Sequence, residues 1–327
     1  MKEHIYWSNF TTGTIGRADL NGLNATHSLV TGASNPAGMA AGTSSIYWTN
    51  NGANTIGRAG LNGQNADQSF ITGVSGPRGV GVDAHHIYWT SGGSNTIGRA
   101  GLDGRDINQN FIGGASSPFG VAVDAHNIYW TNAGSNTIGR AAIDGQDVDQ
   151  SFITGVSGPR GVAVDAHHIY WANSATNTIG RAGLDGQDIN HNFIVGASGP
   201  ANVAVDAHSI YWANAGSNTI GRAAIDGQDV DQGFITGASA PRGVAVNPSK
   251  GHCRESRRAQ LTCDGSPAHD DGRQGRRHER GGALPVSARD VGAPSGPSAG
   301  RAGRAPAGPD KRGLRPSEAH RVDPNLP

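Results

Sequence analysis

The pair Tyr-Trp occurs six times at a constant step of 41 residues, at Tyr6-Trp7, Tyr47-Trp48, Tyr88-Trp89, Tyr129-Trp130, Tyr170-Trp171 and Tyr211-Trp212. Arg17, Arg58, Arg99, Arg140, Arg181 and Arg222 keep the same step inside a recurring Thr-Ile-Gly-Arg-Ala. A period held without insertion through six copies means one supersecondary unit stacked on itself, which restricts the chain to repeat architectures.

The fourth copy shows what one period contains. Gly161 to Asp165 alternates in the manner of a short inner strand, and Ile169-Tyr170-Trp171 is a β-rich aromatic strand beyond the His167-His168 turn. Asn173 to Asn177 is a polar loop, Thr178 to Ala182 a third strand, Asp185-Gly186 a hairpin signal, and Asn192-Phe193-Ile194 opens a fourth strand. Four short strands in roughly 40 residues is the arithmetic of a propeller blade. Helical solenoids are excluded because no helical period is present.

The phase of the repeat predicts how the ring shuts. The chain begins on an aromatic second strand, so its first blade lacks an inner strand, and a surplus inner strand, Pro241 to Pro248, follows the sixth copy. Pairing of the two completes six blades and removes the open edges of an unclosed array. The expected fold is therefore all-β, a six-bladed β-propeller of four-stranded blades over residues 1–248.

Composition divides at the same place. All aromatic Trp, Tyr and Phe residues lie before residue 235, and residues 249–327 are rich in Gly, Pro, Ala, Ser and Arg. Residues 1–248 carry 11 basic against 17 acidic side chains, and the remainder 15 against 9, so a neutral total conceals two opposite charges. The segment 249–327 cannot build a core and is expected to be a disordered basic tail. It has the look of a reading frame translated out of register, while the alternative, a basic arm for nucleic acid, lacks interleaved aromatics. Cys253 and Cys263, the two cysteines of the chain, both fall there, so the repeat region uses neither disulfides nor thiolate metal sites. No stretch approaches the roughly 20 apolar residues of a membrane span. Met1 to His4 do not read as a secretory signal, so the expectation is either a cytoplasmic protein or a start that omits upstream sequence.

The unit resembles the low-density-lipoprotein-receptor class B, or YWTD, repeat, in a YWTN/TIGRA variant. The matching features are the Tyr-Trp pair, the Ile-x-Arg strand, the Leu/Ile-Asp-Gly turn and the Pro-x-Gly-Val-Ala-Val-Asp strand, over about three quarters of the chain. The last residue of the motif departs: it is Asn9, Asn50, Asn132, Asn173 and Asn214, with Ser91 in the third copy. The resemblance implies a monomeric binding or scaffold module, extracellular or at the cell surface, that recognises a protein, peptide or glycan through its loops. Virginiamycin B lyase and gluconolactonase-like hydrolases also use six-bladed propellers, with metal-binding His and carboxylates in the channel. Those do not map onto this sequence, so a metal-dependent lyase or lactonase is the alternative.

Repeated residues are read as structural: Tyr and Trp filling the gaps between blades, and the repeated Arg stacking or bonding carbonyls between them. His85, His126, His167 and His208 read as solvated turns rather than a metal ring, and Asp83, Asp124, Asp165 and Asp206 as strand-end turn formers. Asp144, Asp147, Asp149 and their counterparts Asp226, Asp229, Asp231 lack EF-hand order, so no cofactor is expected beyond a loosely held divalent ion.

Broken symmetry is more informative. The residue after the inner-strand proline reads Ala37, Arg78, Phe119, Arg160, Ala201, Arg242 around the ring. Arg78, Arg160 and Arg242, with Phe119 among them, are expected at one channel mouth as a pseudo-threefold collar for a carboxylate or phosphate. Duplication of an 82-residue, two-blade unit is the competing account of that spacing.

Overall fold

In a computed structural model, residues 2–248 and two short strands beyond them, Cys253–Ser256 and Gln260–Cys263, are described. The two short strands pair antiparallel with Cys253 opposite Cys263. Otherwise the tail expected over 249–327 lies outside the described residues.

Six four-stranded antiparallel sheets follow one another around a channel. Blade 4 is typical: inner strand Pro118–Val123, second strand Asn127–Asn132, third strand Thr137–Ala142 and outer strand Asp149–Thr154. Blade 1 is built from both ends of the repeat region, as the phase of the repeat predicts. Pro241–Val246 is its inner strand and pairs with His4–Asn9, Val246 opposite Ile5. The closure also carries a side-chain tie, since Asn247 Oδ1 accepts the His4 backbone N–H at 2.7 Å.

Alternation along the second strand sends Tyr and Trp to opposite faces of each blade. Tyr6 shares a core cluster with Trp48, Tyr47 with Trp89, Tyr88 with Trp130, Tyr129 with Trp171, Tyr170 with Trp212, and Tyr211 with Trp7. Each gap between blades thus holds the Tyr of one blade and the Trp of the next, and the last pairing closes the circle. At about 25 cal/mol per Å² and roughly 150–250 Å² per ring, one such pair contributes on the order of 10 kcal/mol before entropy is counted.

The Thr-Ile-Gly-Arg-Ala strand serves the same interface. Its glycine sits opposite Trp across the ladder, Gly57 facing Trp48, and a Cβ there would fall 2.2 Å from the indole. Its arginine stacks on the outer-strand Phe of its own blade, for Arg58, Arg99, Arg140, Arg181 and Arg222 at 3.9 to 4.5 Å from the ring centroid. Arg17 and Arg58 also donate to the carbonyls of Leu61 and Leu102 in the next blade, at 3.4 Å. Of the two roles expected between blades, carbonyl bonding is seen for Arg17 and Arg58, while the stacking falls on a ring of the same blade.

Asn in place of the motif's last residue has a physical reason. Asn50 is buried; its Oδ1 accepts Ser34 N–H and its Nδ2 donates to Thr55 Oγ1 and the Gln68 carbonyl. A carboxylate could not supply the two donated bonds. In blade 3, Ser91 is too short for any of this, and its Oγ is buried without a partner.

The Asp-Gly pair predicts a hairpin between the third and outer strands, and one is present, with a wider loop than a two-residue turn. Thr178–Gly183 and Asn190–Val195 are joined by six residues. Asp185 Oδ1 draws in the Gln187 N–H at 3.0 Å, and Asp188 takes a left-handed φ of 53° that redirects the chain.

Candidate binding site at the arginine-lined mouth

Every inner strand runs from one mouth of the channel to the other, so its second residue and the residue after its end mark opposite rims. At the far rim Asp83, Asp124, Asp165 and Asp206 follow the strand. The Oδ1 of Asp165 accepts the His167 and His168 N–H groups, both at 2.7 Å, and its Oδ2 accepts the Tyr170 hydroxyl at 2.9 Å. The other three carboxylates repeat this arrangement with Tyr88, Tyr129 and Tyr211. These charges are absorbed by their own turns. Burial, reinforced by the facing carboxylate, pushes the phenols of Tyr88, Tyr129, Tyr170 and Tyr211 well above their ordinary range. His85, His126, His167 and His208 are exposed on four separate blades, as solvated turns should be. Asp144 and Asp226 cap their turns by accepting the N–H of Gln146 and Gln228, both at 3.0 Å.

The near rim carries Arg78, Phe119, Arg160 and Arg242, each half-buried at the second position of its inner strand, with the buried Ala37 and Ala201 between. Arg78 and Arg160 approach Phe119 from the two neighbouring blades, their guanidinium carbons 5.5 and 5.1 Å from its ring centroid. Arg78 also donates to Ser117 Oγ at 3.0 Å. Its guanidinium lies against Gly92, where a Cβ would come within 2.7 Å of Nε. Arg242 departs from threefold symmetry: it turns to Phe10, 4.0 Å from that centroid, and its buried Nε has no hydrogen-bond partner among the described residues. Phe10 is a member of the site that inspection of a single repeat column overlooks. Its counterparts in the other blades are Asn51, Gly92, Ala133, Ser174 and Ala215, so it too breaks the repeat.

Among the described residues no carboxylate lies within ion-pair distance of the three arginines. Desolvation lowers the pKa of Arg160 and of Arg242, and in each case a neighbouring guanidinium adds to it, Arg78 for the first and Arg160 for the second. Both remain cations at any physiological pH. The rings of Phe119 and Phe10 offset part of the mutual repulsion through their negative faces.

The collar carbonyls are held by a belt of hydroxyls. Ser8, Thr49 and Thr90 each accept the N–H of their own blade's inner-strand glycine, at 2.7 to 2.8 Å, and donate to a collar carbonyl of the next blade, at 2.7 to 3.0 Å. Thr131 does the same between Gly120 and Arg160. In blades 5 and 6 the belt stops, because Ala172 and Ala213 stand in its place. Below the collar the channel is a cavity of about 160 Å³ lined by Val, Ala, Gly and Met39, with Asn202 its one polar side chain.

A six-bladed propeller with a cationic rim over a narrow apolar channel is the class that fold and site define. The model of the virginiamycin B lyase family matches residues 2–253, and the chain belongs to that family. No curated protein matches the chain. Among solved structures, a propeller in a nidogen/laminin complex is 19% identical with a TM-score of 0.64, covering 75% of this chain and 98% of its own. Virginiamycin B lyase from Staphylococcus aureus is 22% identical with a TM-score of 0.54, covering 73% and 84%. A gluconolactonase from Xanthomonas campestris is 17% identical with a TM-score of 0.52, covering 61% and 76%. Likeness at these identities concerns the fold. The resemblance to YWTD propellers is thereby met at the level of architecture, while the family itself is that of the lyase.

Metal chemistry in such a channel would need converging His and carboxylate ligands. Among the described residues no group of three or more His, Cys, Asp or Glu is placed to hold an ion. The channel offers aliphatic side chains and one amide, and its near rim offers cations. These residues do not fit a metal.

Proposed function

We propose that this propeller is a recognition module, of the YWTD-like binding kind, whose protein, peptide or glycan ligand presents a carboxylate or phosphate to the arginine-lined mouth. One observation carries the reading: Arg78, Arg160 and Arg242 crowd one rim with no carboxylate of the described residues beside them, at a cost in self-repulsion that a bound anion would remove. Guanidinium forks match such oxyanions in bidentate, charge-assisted pairs. The apolar walls beneath focus the field at the mouth. The module works as a monomer outside the cell or on its surface, uses no cofactor and does not bind nucleic acid through the propeller. No helix among the described residues is long and apolar enough to cross a membrane.

Calorimetric titration with inorganic phosphate at low ionic strength tests the reading. The wild type is expected to bind, and the triple substitution Arg78→Ala, Arg160→Ala, Arg242→Ala to lose at least a hundredfold in affinity. Equal binding by the two overturns it.

Family membership favours a second reading, a lyase that opens virginiamycin B or a lactonase. Turnover of virginiamycin B or a sugar lactone in the presence of divalent metal, abolished by chelation, would establish it in place of the first.

A further inference from the structure

Five of the six inner strands carry glycine after the collar residue, Gly38, Gly79, Gly120, Gly161 and Gly243, and the sixth carries Asn202. Glycine is there because the strands nearly touch at the axis: a Cβ on Gly120 would fall 2.6 Å from the Arg160 carbonyl oxygen. Asn202 escapes the restriction through its surroundings. Ala213 has replaced the belt hydroxyl beside it, and Asn202 pairs directly with Ala213 in a register that blades 2 to 5 skip by a bulge. Its side chain then lies against Gly161, the residue that follows Arg160, where a Cβ would come within 2.4 Å of Oδ1.

The amide has a defined direction. Oδ1 accepts the Val203 N–H at 2.7 Å, so the amino group is the part of the amide left to donate to a ligand. Asn202 stands one residue below the level of the collar and is the one polar side chain among those lining the cavity.

Resting on the arginine-collar reading, we propose that Asn202 is the floor of the anion site, donating from its amide to an oxyanion held above by Arg160 and its neighbours. This narrows the ligand. The walls of this cavity are aliphatic apart from Asn202, so below the collar only an oxyanion head group finds a donor, while hydroxyl-rich or amide-rich groups would lie unpaired. The ligand is therefore a terminal carboxylate or a phosphate monoester, inserted head-first, with the rest of the molecule on the rim against Phe119 and Phe10.

The deciding substitution is Asn202→Gly, which gives blade 6 the residue that every other blade already carries and so leaves the fold intact. Inorganic phosphate and acetate serve as separate probes in calorimetric titrations of the full chain, with thermal unfolding as the control. Asn202→Gly is expected to weaken the preferred anion about tenfold, the loss of one hydrogen bond to a charged acceptor. Asn202→Asp, which sets a carboxylate of the same shape on the floor, is expected to abolish binding. Phosphate bound more tightly than acetate assigns a phosphate monoester, and the reverse a carboxylate terminus. If Asn202→Gly binds as the wild type does, the floor is elsewhere and this inference falls while the collar stands. If the wild type binds neither probe through Arg78, Arg160 and Arg242, the collar reading falls with it.

Discussion

The two rims of the channel carry opposite charges and treat them differently. At the far rim four aspartates are spent on local structure, each accepting two backbone N–H groups and a tyrosine hydroxyl. At the near rim three arginines gather with two phenyl rings and, among the described residues, no carboxylate in ion-pair reach. The aspartates recur in four consecutive blades in one geometry, whereas Arg78 and Arg160 converge on one ring and Arg242 turns to another. A charge that repeats with its partners is part of the blade. A charge that repeats without them is available to something else.

The largest effect that tests this contrast is alkaline unfolding. Burial holds the Tyr6 phenol up at about 12 and raises Tyr47 and the four aspartate-bonded tyrosines as well. An unfolded tyrosine ionises near about 10. The contribution of these groups is therefore complete below pH 10 and is lost as pH rises through the raised values. Melting temperature should be level from pH 7 to about 10 and fall steeply beyond. A curve still level at pH 11 would mean the far rim is not held by neutral phenols.

Next in size, Asp165→Ala removes three hydrogen bonds and strands the Tyr170 hydroxyl, and a loss of about 2–4 kcal/mol in urea unfolding is expected, with phosphate binding unchanged. The near rim should give the opposite pattern. Replacing Arg78, Arg160 and Arg242 by Ala is expected to leave stability within about 1 kcal/mol of the wild type, since relief of repulsion offsets lost stacking. A loss as large as that of Asp165→Ala would make the collar structural. The smallest effect is a gain. Ser91→Asn restores to blade 3 the donors that Asn50 supplies in blade 2, and Trp89 Nε1, also unpartnered now, lies in the same blade. About 1 kcal/mol of added stability is expected by the same unfolding measurement.

Fold and site were unequally legible. A 41-residue step, Tyr and Trp on alternate faces and a surplus last strand dictate six closed blades, because each follows from strand periodicity and edge pairing alone. The positions Arg78, Phe119, Arg160 and Arg242 were also readable, as breaks in one column of the repeat. Their departure from the expected threefold arrangement was not. Arg242 turns to Phe10, and that choice depends on a loop from the opposite end of the chain. Asn202 and the missing hydroxyls at Ala172 and Ala213 are likewise visible as letters, yet their meaning needs the spacing of strands at the axis, which no periodicity reports. Family membership was less legible still, since the motif that resembles YWTD repeats is what holds blades together, and blade cohesion is common ground for propellers of different families.

The shared first blade sets an order of events in folding. Blades 2 to 6 can each assemble from a continuous stretch of about 40 residues, but His4–Asn9 must wait for Pro241–Val246. Until that strand arrives, Trp7 and Tyr211 have not met and the His4–Asn9 edge remains an open template for foreign strands. The slowest step is thus the docking of the last strand made, a contact spanning nearly the whole ring. A chain cut short before Pro241 would keep five sound blades and still behave as an aggregation-prone species.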